Sequence, residues 1–109
     1  MDREAAIQEA LRRMIRYFTP EQIYLFGSMA RGDSRPSSDI DFLVVLPDTA
    51  PKEQLFGGVY RELAGLMVAI DVVPIRRKDF EARKDWLMSL PAIVLREGKL
   101  VYDGRLKAA

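Results

Sequence analysis

Two acids open the most apolar stretch of this sequence. In Asp39-Ile40-Asp41-Phe42-Leu43-Val44-Val45-Leu46 every position after Asp41 is apolar. A strand with one wet face alternates between apolar and polar residues. A run without alternation predicts a central strand covered on both sides. The chain must then supply layers above and below that strand. Its 109 residues suffice to do so once, as a single domain over 1–109.

The flanking sequence supplies those layers. Ile7, Leu11, Met14, Ile15 and Phe18 recur at helical spacing, which predicts a helix over 3–18 with Asp2 as its N-cap and Pro20 as its stop. Gln22–Phe26 reads as a short strand, and Pro47–Pro51 as a turn. Leu55, Val59, Leu63 and Leu66 keep helical spacing over 52–66, interrupted by Gly57-Gly58. Ala69–Val73 reads as a strand closed by Pro74, and 76–85 as partly helical. Ser89 to Glu97 suits a last helix capped by Ser89 with Gly98 just past its end, and Lys99–Tyr102 an edge strand. The expected fold is α/β (α+β), a small mixed sheet flanked by helices. Phe80, Trp86, Leu87 and Met88 are expected in the core, and the hydroxyls of Tyr24, Tyr60 and Tyr102 at the surface.

Composition removes whole classes of chemistry. Cys and His are both absent, which excludes disulfides, thiolate nucleophiles, histidine bases and zinc held by sulfur or imidazole. Lys+Arg is 17 against 16 Asp+Glu, so nucleic acid is not the expected partner. The apolar run Leu66–Ile70 is far too short to span a bilayer, and Met1 to Arg13 has no signal-peptide core. A cytoplasmic protein is expected. Arg31-Gly32-Asp33 spells an adhesion tripeptide, but without secretion a polar turn explains it better. The basic excess falls in 74–109, the end better suited to meet an acidic partner.

Within these limits the strand acids stand out. Asp is depleted in strands, yet Asp39 and Asp41 begin the most buried one. Two residues apart, they point to one face of a sheet, with Cα atoms roughly 6.5 Å apart. Asp71 repeats the pattern inside Leu66-Met67-Val68-Ala69-Ile70-Asp71-Val72-Val73. If its strand lies beside the Asp39 strand, three carboxylates can meet. An arginine could neutralise them, and Arg76 and Arg77 are near in sequence. A donor set made only of oxygen also suits a hard cation such as magnesium, which keeps waters and substrate phosphates as further ligands.

The stretch ahead of these acids suits a phosphate. Gly27 permits a close backbone approach directly after a strand. Ser28 can cap a turn whose free N–H groups face an anion. Arg31 and Arg35 can add guanidinium contacts. Neither a Gly-Lys-Ser/Thr phosphate loop nor a Gly-x-Gly-x-x-Gly fingerprint is present.

Taken together, Gly27-Ser28, Ala30-Arg31-Gly32 and Ser38-Asp39-Ile40-Asp41, followed by an apolar strand and then Asp71, resemble the polymerase-β-like nucleotidyltransferase superfamily. In particular the chain resembles its minimal nucleotidyltransferases, the MNT antitoxins of HEPN/MNT toxin–antitoxin pairs. The resemblance covers nearly the whole chain, and Arg96-Glu97-Gly98-Lys99-Leu100-Val101-Tyr102 adds a weaker likeness. It implies that Asp39, Asp41 and Asp71 are catalytic and bind two magnesium ions. It implies that Gly27, Ser28, Arg31 and Ser38 bind the nucleotide. It implies transfer of AMP from ATP to a hydroxyl, a tyrosine of a HEPN toxin. Two alternatives stay open: steric occlusion of the toxin without catalysis, or a catalytic subunit of a heteromeric transferase for a small-molecule or RNA acceptor. In either enzymatic case the acceptor site is shared with a partner or a second copy.

Overall fold

The computed structural model describes residues 2–27 and 39–107. Helix α1 (Arg3–Phe18) starts where Asp2 accepts a hydrogen bond from the Ala5 N–H at 2.8 Å. It ends where Thr19 turns left-handed and returns its N–H to the Ile15 carbonyl, just ahead of Pro20. Its inner face buries Ile7, Ala10, Leu11, Met14 and Phe18.

Strands β1 (Gln22–Phe26) and β2 (Ile40–Leu46) are antiparallel neighbours at the centre of a sheet ordered β3-β2-β1-β4. The absence of alternation in β2 has the expected cause. Ile40, Phe42, Val44 and Leu46 pack with Ile23 and Leu25 against α1. Leu43 and Val45 face the opposite way, with Tyr24, Phe80 and Val94. All six of these β2 residues are fully buried.

The helical spacing after β2 breaks into two short pieces, a 3-10 turn at Lys52–Leu55 and helix α2 (Val59–Glu62). The break falls at Gly57, whose φ of 69° no continuous helix accommodates. Strand β3 (Ile70–Arg76) then pairs in parallel with β2. It runs on through Pro74 instead of closing there, which corrects the expected end at Val73. The reason lies in which way the backbone faces. The Val72 N–H points outward to the Tyr60 hydroxyl, 2.9 Å away. Pro74, two residues on, presents its nitrogen to the same open side, so the ladder loses no hydrogen bond.

Helices α3 (Arg77–Arg83) and α4 (Leu90–Glu97) cover the second face. Ser89 caps α4 by accepting from the Ala92 N–H. Gly98 follows, where a Cβ would lie 2.7 Å from the Val94 carbonyl oxygen and 3.0 Å from that of Leu25. Strand β4 (Lys99–Asp103) adds antiparallel to β1 and forms the far edge. The result is the expected mixed sheet with helices on both faces. No helix among the described residues is long and apolar enough to cross a membrane.

Several side chains depart from expectation. Phe80 is buried, but Trp86, Leu87 and Met88 are 60%, 73% and 79% exposed. They sit in the tight connection between α3 and α4, which is too short to fold all three inward. Tyr24 is buried, with its hydroxyl 3.5 Å from the Gln22 side-chain oxygen, and the Tyr60 hydroxyl is held by the β3 backbone.

Candidate active site

The parallel pairing of β2 with β3 sets Asp41 directly beside Asp71. In-register neighbours on adjacent strands project to the same face, about 4.8 Å apart at the backbone. That face also carries Leu43 and Val45, so the two acids stand at its mouth, above an apolar floor. On its other side Asp41 has Phe26 as its cross-strand partner on β1. Asp39 lies one residue before β2, exposed, and the Ile40 N–H ties this entry to the Ala69 carbonyl at 2.9 Å.

Asp41 is partly buried between these neighbours. Burial raises its pKa above the ordinary carboxylate range, and the negative charges of Asp71 and Asp39 raise it further. A hydrogen bond with the Asp71 carboxyl acts in the same direction. Two acids forced together relieve their repulsion by sharing a proton or by taking a cation.

The arginines near in sequence do not supply that cation. Arg76 donates to the Ala50 carbonyl at 2.9 Å. Arg77 donates to Glu21 at 2.8 Å and to the Gln22 side-chain oxygen at 2.7 Å, with its guanidinium stacked over Phe80. Both are committed to the opposite end of β3. Among the described residues, no ion pair involves Asp39, Asp41 or Asp71.

The donor set fits a hard divalent cation of the magnesium type. It is all oxygen and paired, and no cation among the described residues neutralises it. Among the described residues no group of three or more acids is placed to hold a metal ion. Asp41 and Asp71 form a close pair, with Asp39 at the rim. A pair suits magnesium, which takes one or two protein carboxylates and keeps waters and phosphates for its other positions.

Gly27 closes the site on the β1 side. Its φ is 77°, a left-handed conformation that favours glycine. A Cβ there would lie 2.5 Å from an Asp41 carboxylate oxygen. The glycine thus does two things at once: it turns the chain and it leaves room for the acid. The other expected phosphate ligands, Ser28, Arg31 and Ser38, lie outside the described residues, as does Arg35.

One contributor had no signal in the sequence. The Tyr60 hydroxyl accepts from the Val72 N–H at 2.9 Å and lies 3.4 Å from the Val72 carbonyl oxygen. It therefore clasps the open edge of β3 at the residue after Asp71. Nothing local marks Tyr60, because the contact spans twelve residues and depends on where α2 packs.

Residues 7–93 match the nucleotidyltransferase domain family. Among solved structures, a toxin–antitoxin structure determined with AMP-PNP is similar at 25% identity and a TM-score of 0.59, covering 93% of this chain and 80% of that one. A Sulfolobus solfataricus protein with a proposed nucleotidyltransferase assignment is 23% identical, with a TM-score of 0.49 over 90% of this chain and 86% of its own. No curated protein matches the chain significantly.

Proposed function

The chain belongs to the nucleotidyltransferase domain family, and from that premise we propose that it transfers AMP from ATP to a hydroxyl of a partner HEPN toxin, a tyrosine, and so acts as an antitoxin. The observation that carries this reading is the in-register pairing of Asp41 with Asp71, with no neutralising cation among the described residues. Binding a toxin could explain an exposed surface. It gives no reason to hold two costly carboxylates side by side at the mouth of an apolar face. The structural likeness to a toxin–antitoxin structure determined with AMP-PNP supports a toxin partner and an adenine nucleotide.

Asp41 and Asp71 are the pair that would hold magnesium, with Asp39 at the rim as the third candidate ligand. When bound, magnesium supplies charge neutralisation to the polyphosphate and to the oxygens that enter and leave phosphorus. The protein's own groups do the positioning. Gly27 lets the backbone approach the polyphosphate without striking Asp41, and the resemblance assigns nucleotide binding to Ser28, Arg31 and Ser38 as well. Asp71, more exposed than Asp41, orients the acceptor hydroxyl and takes its proton. The acceptor oxygen bonds to the α-phosphorus, the bond to the bridging oxygen breaks, and pyrophosphate departs with that electron pair.

The test is to incubate the chain and its co-purifying partner with labelled ATP and magnesium, then locate AMP by mass spectrometry. Label on a partner hydroxyl, lost in Asp41→Asn, is the expected result. A tight complex without label, formed equally well by Asp41→Asn, would assign neutralisation to steric occlusion. Label on a small molecule or RNA instead would move the chain to a heteromeric transferase.

A further inference from the structure

The acid-bearing face continues into an apolar groove of about 350 Å³. Leu43 and Val73 form its upper wall, two residues below Asp41 and Asp71 on the same face of the sheet. Ile75, Trp86, Leu90 and Pro91 add further apolar lining. The volume is at the lower end of the range of ligand pockets, roughly 300–1,000 Å³. We infer that this groove is the acceptor subsite, and that its occupant is an apolar or aromatic side chain of the acceptor protein flanked by an acidic group. The inference rests on the transferase reading above and specifies where that reaction's second substrate docks.

Three observations select this occupant. The first is direction. Across the sheet the order runs from Gly27 after β1, to Asp41 on β2, to Asp71 on β3. An in-line displacement puts entering and leaving oxygens on opposite sides of phosphorus. With the polyphosphate on the Gly27 side, the acceptor enters from the β3 side. The groove lies there, with Val73, Pro74 and Ile75 of β3 in its wall and only Leu43 from β2.

The second observation is chemistry. The walls are mostly apolar, and Arg83 and Ser89 are their two polar residues. Ser89, which also lines the groove, already donates to the Arg83 carbonyl and accepts from the Ala92 N–H. A nucleobase edge carries donors as well as acceptors, and the donor-only guanidinium of Arg83 would leave those donors unpaired. A hydrocarbon or phenyl body would not.

The third is the rim. Trp86 is 60% exposed, and the Arg83 guanidinium lies over its ring at 6.0 Å. Among the described residues Arg83 makes no ion pair. Leu87 and Met88, beside it, are exposed as well. An aromatic platform carrying an uncommitted cation fits a partner that presents an apolar anchor next to a carboxylate.

Trp86 is the only tryptophan of the chain, so its fluorescence reports on the groove directly. The probe is the acetylated, amidated tripeptide Glu-Tyr-Leu, titrated into the full chain. The expected result is a saturable blue shift of Trp86 emission, with affinity reduced about tenfold or more in Val73→Glu. AMP-PNP with magnesium, added alone, should leave the emission unchanged. An emission that ignores the peptide, or that responds to AMP-PNP alone, overturns the inference; the second outcome would give the groove to the nucleobase. In the transfer reaction with the co-purifying partner, Trp86→Ala should raise the acceptor KM about tenfold while kcat and nucleotide affinity hold. An unchanged KM overturns the inference while the transferase reading stands. If the wild-type chain transfers no AMP although Trp86 responds to the peptide, the transferase reading falls and the groove remains a peptide site.

Discussion

Removing one charge at the acid pair should make the protein more stable. In Asp41→Asn the side chain keeps its shape and can still hydrogen bond to Asp71, but the repulsion is gone. Two unit charges about 4 Å apart repel by about 1 kcal/mol at the dielectric of water and by about 4 kcal/mol at an effective value of 20. Asp71 is exposed and Asp41 only partly buried, so the lower end applies and about 1 kcal/mol is expected. For 109 residues, with an unfolding entropy of about 2.1 cal/mol/K per residue, this corresponds to a rise in Tm of about 4 °C at pH 7. The sign follows from the raised pKa of Asp41. A carboxyl whose folded pKa lies above its unfolded value destabilises the native state at pH values above both. That penalty vanishes once the pH falls below the unfolded value, about 3.9. The gain from Asp41→Asn should therefore be full at pH 7 and absent near pH 3.5. The assay is thermal unfolding followed by circular dichroism, in EDTA, across that range. Millimolar magnesium should then raise the wild-type Tm and leave the variant unmoved. A variant no more stable than wild type at pH 7, or one that gains equally at both pH values, would refute the argument that these carboxylates are held together under electrostatic strain.

Other positions give sharper local tests. Gly27→Ala combines a left-handed φ with a Cβ 2.5 Å from Asp41. It should cost about 1–2 kcal/mol in denaturant unfolding and abolish AMP transfer by displacing the acid. Tyr60→Phe removes the clasp on the β3 edge at Val72. A loss of about 1 kcal/mol is expected, with faster amide exchange at Val72 and a lower kcat at unchanged nucleotide KM; exchange at the wild-type rate would show that the hydroxyl does not hold the strand. Gly98→Ala sets a methyl against two backbone oxygens and should lower Tm by at least about 4 °C, whereas Gly65→Ala, at a site with nothing within 4 Å, tests backbone conformation alone and should cost about 1 kcal/mol.

How much of this was legible in the sequence differs by element. The central strand was, because missing alternation has one physical cause: apolar cover on both faces. Helix α1 was, because a cap, a periodic stripe and a proline agree on its limits. The placement of Asp71 beside Asp41 needed only the inference that their strands are neighbours. The extent of β3 was not legible. A proline reads as a stop unless its nitrogen faces an open edge, and a sequence does not say which strand is at the edge. The helix expected over 52–66 failed at Gly57, where a local glycine conformation overrode a periodic stripe. Trp86, Leu87 and Met88 were misplaced in the core for a related reason. Large apolar residues are buried on average, and no pattern within three consecutive residues reveals that a tight connection between helices turns them outward. Of the candidate site, the acids and Gly27 could be read from spacing. The Tyr60 clasp could not, because it exists only once α2 has packed beside β3.

The border of the sheet next to Asp71 has a consequence for how copies of this chain behave in a crowded solution. Bare strand edges recruit one another through their backbone groups and seed aggregates. Here that route is blocked over the stretch that matters, since the Val72 amide is already engaged by a phenol and Pro74 has no amide hydrogen to offer. At these two positions a visiting chain finds no amide to pair with. It must be recognised by its side chains, which leaves the acid-lined flank free for a selected partner and closed to self-templated growth.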